Sequence, residues 1–184
     1  MFEQFLAVFF AVGLAEFGDK TQLAALALSA KYKDRLQVIA GASLAFFLAT
    51  ALAVALGGFL GSTLNPAAVK TASAVVFIAF GAYSLFSKDE GGKAKIKDSK
   101  GAFFSSLALI FIMEIGDKTN LANFFFASIY NPFLVLAAAL CAEVLLTVIA
   151  VYFGGLISRK ISHSTTKKVS ALLFILIGLA TLLL

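Results

Sequence analysis

Charge is scarce in this chain. Of 184 residues, 14% are Asp, Glu, Lys or Arg, against 61% hydrophobic residues and a mean hydropathy of +0.98. So few charges cannot cover the surface of a soluble domain. They are also clustered, which leaves long apolar runs between them, the mark of the membrane class. The single cysteine, Cys141, excludes an internal disulfide and, lying in an apolar run, reads as a quiet buried thiol. The single histidine, His163, falls in a basic loop and reads as solvated. Only two arginines occur, Arg35 and Arg159, both in loops. No stretch alternates as a lipid-facing barrel strand would. Glu3 stands where a cleaved signal would carry a basic region, and the N-terminus is too short for a transit peptide, so neither is expected.

Against this apolar background one polar string occurs twice. Glu16-Phe17-Gly18-Asp19-Lys20-Thr21-Gln22 returns as Glu114-Ile115-Gly116-Asp117-Lys118-Thr119-Asn120. Each copy lies inside a hydrophobic stretch long enough to cross a bilayer. Ionisable residues at membrane depth are costly and by default mark an ion or proton pathway.

Apolar runs and their breakers predict an all-α polytopic membrane protein with six transmembrane helices. The spans run about Phe5–Ala30, Leu36–Leu60, Ala67–Phe86, Gly101–Ile129, Pro132–Ile157 and Val169–Leu184, with a charged linker over Ser87–Lys100. A single membrane domain is expected over 1–184, with repeat one at 1–87, the linker at 87–100 and repeat two at 101–184. A shift of 98 residues superposes the motifs. With one deletion in the first loop, Thr50 meets Thr147, Gly57-Gly58 meets Gly154-Gly155 and Lys70 meets Lys167. Three spans per half is an odd number, so the second copy enters from the opposite side. The expectation is two inverted three-helix repeats with a site near the midplane.

Lys and Arg outside the motifs fix the orientation. Lys31, Lys33, Arg35, Lys88, Lys93, Lys95, Lys97, Lys100, Arg159, Lys160, Lys167 and Lys168 fall on one side, and Lys70 alone on the other. The positive-inside rule then puts the basic loops in the cytoplasm and both termini outside. The net charge of +5 is a matter of topology, and no nucleic-acid partner is expected. The partners implied are the lipid bilayer, a divalent cation and protons; oligomeric state is open. A bacterial inner (plasma) membrane is the expected location.

Read as helix, Glu16, Asp19 and Gln22 share one face, as do Glu114, Asp117 and Asn120, with Asn123 extending the second stripe. Two facing stripes would converge four carboxylates and two amides, an oxygen-rich surrounding for a hard divalent cation such as Mg²⁺, Ca²⁺ or Mn²⁺. Neither motif holds a His or Cys, which argues against dedicated zinc or copper. The four acids carry −4 and Lys20 and Lys118 return +2, so a divalent cation brings the sum to zero. Without the metal, acids clustered in low dielectric cannot all stay ionised, so metal release and proton uptake are coupled. Gly18 and Gly116 serve either close packing or a local opening of the backbone that frees carbonyls. Lys20 and Lys118 are spaced to pair within their helix with Glu16 and Glu114 and read as charge compensation. Thr21 and Thr119 add a hydroxyl ligand or bond the preceding turn. Glu143, whose repeat partner is Phe46, is a fifth ligand, a proton relay, or a partner for Lys20 or Lys118. The phenylalanines at Phe9, Phe10, Phe46, Phe47 and Phe124–Phe126 read as lipid-facing or packing surface.

Two copies of Glu-x-Gly-Asp-Lys-Thr, one in the first span of each half, resemble the manganese/calcium cation:proton exchangers related to the Golgi Gdt-type proteins and bacterial MneA-type manganese exporters, grouped with the lysine-exporter superfamily. The resemblance covers essentially the whole chain. It implies export of Mn²⁺ or Ca²⁺ from the cytoplasm as transported substrate, with no separate cofactor, and carries the metal-site acids onto Glu16, Asp19, Glu114 and Asp117. Asn120 departs from the family pattern, where Gln is common. Other readings are a passive cation channel, amino-acid export by analogy to the superfamily, and a membrane enzyme of the lipid-phosphate type. The last would want arginines or a nucleophile–base pair at the site, and neither motif has them.

Overall fold

The computed structural model describes residues 1–32, 34–86, 101–157 and 163–183. All secondary structure in these residues is helical. Eight helices follow in order: α1 Phe2–Glu16, α2 Lys20–Lys31, α3 Arg35–Thr63, α4 Pro66–Phe86, α5 Ala102–Glu114, α6 Lys118–Ile129, α7 Pro132–Ile157 and α8 His163–Leu183. Their starts follow ordinary capping chemistry. Asp34 accepts the Gln37 N–H ahead of α3, Asn65 that of Ala67 ahead of α4, and Asn131 those of Phe133 and Leu134 ahead of α7. The chain's two prolines, Pro66 and Pro132, both open a helix, where a missing N–H costs nothing. Three described helical stretches are long and apolar enough to cross a membrane: Arg35–Thr63, Pro66–Tyr83 and Pro132–Phe153.

The first and fourth expected spans are not continuous helices. Each is interrupted inside the motif, giving α1–α2 and α5–α6. Three residues sit between the halves of each pair, and the physical reason lies in the glycine, taken up with the site below. The linker 87–100, with Lys88, Lys93, Lys95, Lys97 and Lys100, lies outside the described residues, as do Lys33, Arg159, Lys160 and the side chains of His163 and Lys167.

Packing crosses between the halves of the chain. α1 and α2 lie on α7, α5 and α6 lie on α3, and α4 lies along α8. The α4–α8 contact is reciprocal. A Cβ on Gly81 would come within 2.5 Å of the Ala171 carbonyl oxygen, and one on Gly178 within 2.8 Å of that of Ala74, so both glycines are there for close helix approach. Two apolar cores flank the motif region. One joins Val8, Val12, Phe77, Phe126, Val135 and Phe174; the other joins Leu28, Val38, Phe46, Ile110 and Val151. Alanines fill much of the space between, including Ala138, Ala139 and Ala142 of α7, and keep the helices close. Cys141 is exposed on α7, contrary to the expectation of a buried thiol. Its apolar run reflects a helix whose outer face is itself apolar, so hydrophobic neighbours in sequence did not mean burial.

Candidate functional site

The two breaks have the same backbone. Phe17 (φ −61°, ψ 114°) and Ile115 (φ −62°, ψ 116°) are extended. Gly18 and Gly116 follow at φ 73° and 77°. Asp19 N–H donates to Glu16 O at 3.1 Å, and Asp117 N–H to Glu114 O at 3.1 Å. This is the signature of a type II turn, whose third position needs positive φ and hence glycine. The continuous helical stripe expected for the motif is therefore replaced by a turn. Glu16 and Glu114 end one helix, while Asp19 and Asp117 stand at the N-cap of the next, where a carboxylate meets free N–H groups and the positive end of the helix dipole. Of the two roles considered for the glycines, opening the backbone is the one observed.

The breaks meet. Glu16, Asp19 and Asp117 each bring a carboxylate oxygen within 4.8 Å of the other two. All three are buried, with Glu16 2% and the two aspartates 8% exposed. Both Glu16 oxygens and Asp19 Oδ2 lack a hydrogen-bond partner among the described residues. Buried carboxylate oxygens are ordinarily satisfied, and left bare they are costly, so this pocket of oxygens is suited to a cation. Glu114 is beside the group but engaged. Thr21 Oγ1 donates to its Oε1 at 2.9 Å, and Asn120 Nδ2 to its Oε2 and its backbone carbonyl, each at 3.0 Å.

The amides are thus not arranged as the stripe suggested. Asn120 holds Glu114. Gln22 turns back, its Oε1 accepting the Gly18 N–H at 2.9 Å. The lysines also differ from expectation. Lys20 pairs across the chain, Nζ to Asp117 Oδ1 at 2.8 Å, and not along its own helix, because the turn removes the i, i+4 geometry that linked it to Glu16. Lys118 makes no ion pair among the described residues. Thr119 supplies its N–H to Asp117 Oδ2 at 3.3 Å, and its hydroxyl faces Glu16 from just outside hydrogen-bond geometry.

Glu143, on α7, is 1% exposed and takes neither lysine as partner. Thr50 of α3 faces its two carboxylate oxygens at 3.2 and 3.3 Å, and Asn123 of α6 approaches Oε1 at 3.5 Å. The same Thr50 hydroxyl lies 3.3 Å from Asn120 Oδ1, so Glu143, Thr50, Asn120 and Glu114 form one connected polar chain. Thr50 is the member of this polar chain that sequence reasoning passed over. Its signal was present: a hydroxyl inside a long apolar run, at a position matched by Thr147.

Residues 4–92 and 102–184 match the family described as "Divalent cation/proton antiporter GDT1". The chain belongs to the GDT1 family. It is therefore a transporter of the cation/proton antiporter class, a membrane protein and not an enzyme. Among relatives of GDT1 type, a protein of Vibrio cholerae named "Putative manganese exporter" is 34% identical over 172 residues, covering 92% of this chain and 86% of its own. GDT1-like protein 5 of Arabidopsis thaliana is 28% identical over 208 residues, covering 92% and 91%. A GDT1-like protein of Synechocystis is 27% identical over 202 residues, covering 98% and 97%. No solved structure matches the chain. Membership in GDT1 removes the lipid-phosphate enzyme from consideration.

Proposed function

We propose that this chain exports a divalent cation, Mn²⁺ first and Ca²⁺ second, from the cytoplasm in exchange for protons. The observation that carries the reading is the meeting of Glu16, Asp19 and Asp117 oxygens, contributed by both breaks, within 4.8 Å. Glu114 completes a set of four acids. The ligands these acids offer are all oxygens, which suits hard cations and leaves soft-metal selection without a ligand. Manganese ranks first because of the name carried by the Vibrio cholerae relative. Proton exchange rests on the family description and on electrostatics: four acids gathered in a desolvated place need either a metal or protons.

The architecture we propose has six crossings. α1 with α2 makes one and α5 with α6 another, each through its break, and α3, α4, α7 and α8 make the rest. Three crossings per half insert the two halves in opposite senses, and the breaks then meet near mid-membrane, where discontinuous helices can offer charged ends to an ion. The basic loops face the cytoplasm, the termini face outward, and the membrane is a bacterial plasma membrane.

The test is the full chain in liposomes with a pH indicator inside and Mn²⁺, Ca²⁺ or Mg²⁺ supplied outside. Metal entry accompanied by proton exit is expected, fastest for Mn²⁺ and lost in Glu16→Gln and Asp117→Asn. Metal flow without proton counterflow would make the chain a channel, and no divalent flow at all would remove the reading.

A further inference from the structure

Lys70 stands apart from every other basic residue outside the motifs, alone on the side away from the basic loops. The positive-inside rule gives no reason for a lysine there. It lies one turn into α4, half-buried, and makes no ion pair among the described residues. It lines a cavity of about 680 Å³ at one end of the bundle. The walls come from Ala7 early in α1, Gly61 near the end of α3, Ser128 and Tyr130 at the end of α6, and Thr181 near the end of α8. None of the motif acids lines it. Phe126, 1% exposed and packed on Phe77 with ring centres 4.8 Å apart, forms its inner wall.

The only charge in this lining is the Lys70 ammonium, and among the described residues no Asp or Glu joins it. A divalent cation is repelled by such a place, so the cavity is not built for the cargo. Its hydroxyls divide into two kinds. Ser128 donates to Phe125 O at 2.7 Å and Thr181 to Ile177 O at 2.8 Å, which leaves both as acceptors. Tyr130 stacks on Phe126, and its hydroxyl, like the Lys70 ammonium, has no hydrogen-bond partner among the described residues. The remaining wall is apolar, with Ile177 and Ala180 beside Phe126. One cation and one phenol donor over an apolar wall, at the level of the helix ends, ask for an amphiphile with a negative head.

We infer that this cavity binds one anionic phospholipid, its phosphate held by Lys70 and Tyr130 and an acyl chain laid along Ile177 and Ala180. Basic pockets between membrane helices recognise lipid headgroups in this way. The volume is within the ordinary range for a small-ligand pocket and admits a headgroup with part of a chain. Charge narrows the headgroup. One ammonium balances one negative charge, which fits a phosphodiester of the phosphatidylglycerol type, whose free hydroxyls can donate to Ser128 and Thr181. A zwitterionic headgroup brings a cation of its own and finds no acid to receive it. The seat also has a mechanical consequence. α4 and α8 pack mainly on each other and more lightly on α1 and α6. A lipid between them ties the α4–α8 pair to helices that carry the motifs. Only the assignment of this end to the outer leaflet rests on the six crossings proposed above.

Native mass spectrometry of the full chain in neutral detergent tests this, with phosphatidylglycerol and phosphatidylcholine of identical acyl chains as probes. One phosphatidylglycerol is expected to be held in preference to phosphatidylcholine and to raise the unfolding temperature. Lys70→Met should weaken that binding about five-fold, the weight of one lysine against an anionic headgroup, and Lys70→Arg should keep it. Ala180→Phe, at an exposed position, fills the apolar part of the cavity and should weaken both lipids alike. Lys168→Met, an exposed lysine toward the other end of α8, should change neither. Equal binding by the native chain and Lys70→Met overturns the inference. So does an equal loss in Lys168→Met, which would mark diffuse attraction to basic surface. Displacement of the lipid by glycerol phosphate alone would make the occupant a soluble anion and overturn it too. Binding is read without transport, so a chain that holds the lipid yet moves no divalent metal sinks the proposed function alone. One that exchanges metal for protons without holding the lipid sinks this inference alone.

Discussion

Thr50 shows how much one hydroxyl can be asked to do in an apolar interior. Its single hydrogen is shared among Asn120 Oδ1 and the two Glu143 oxygens, at 3.2 to 3.3 Å. Without it, Glu143 keeps only the 3.5 Å approach of Asn123. Leaving a buried carboxylate short of a donor costs about 1–3 kcal/mol. Thr50→Val should therefore lower the unfolding temperature of the detergent-solubilised protein, and Thr50→Ser should restore it. An unchanged transition in Thr50→Val would show that the polar chain from Glu143 to Glu114 contributes nothing. Glu143 itself has a phenylalanine, Phe46, at its matched position, seated in an apolar core at 2% exposure. The asymmetry foreseen from the sequence is thus one of environment as well as of charge.

At the scale of elements, the helix breaks are what bring the acids of the two motifs together. A straight helix would have set Glu16 and Asp19 one turn apart on one face. The type II turn instead puts Glu16 at a helix end and Asp19 at the next helix start, and turns both toward the other break. Both turns depend on glycine at φ 73° and 77°. A Cβ on Gly116 would meet nothing within 4 Å, so a substitution there is strained by backbone conformation alone. Placing an L residue in that region costs about 1–2 kcal/mol, and Asn tolerates it best. Gly116→Ala should slow metal exchange and lower the unfolding temperature, with Gly116→Asn between it and the native protein. Exchange by Gly116→Ala at the native rate would mean that the break is incidental to transport.

For the whole molecule, the decisive quantity is which side each loop faces. α3 begins after Asp34 and ends at Thr63, a length sufficient to carry the chain across a bilayer. In a Cys141→Ser background, Asp34→Cys should resist a membrane-impermeant maleimide in intact cells and Ser62→Cys should react. Equal labelling of both from outside would remove the topology on which opposite insertion rests. The cross-packing of α1 and α2 on α7 and of α5 and α6 on α3 makes the two halves interdependent, since each motif is packed mainly by the other half.

Composition and the doubled motif determined the helical class, the membrane setting and the family, because hydropathy and a rare polar string are properties of the chain read locally. They also named the acids, since carboxylates in an apolar stretch stand out wherever they fall. Helix periodicity could not reveal the turns, because a glycine between two acids is spelled the same whether it packs a helix or opens one. Nor could it pair Lys20 with Asp117, Thr21 with Glu114 or Thr50 with Glu143. Those partners lie 93 or more residues apart in the chain. Only the packing of one half against the other brings them within reach, and that packing is set by side-chain shape over many residues and not by any single segment.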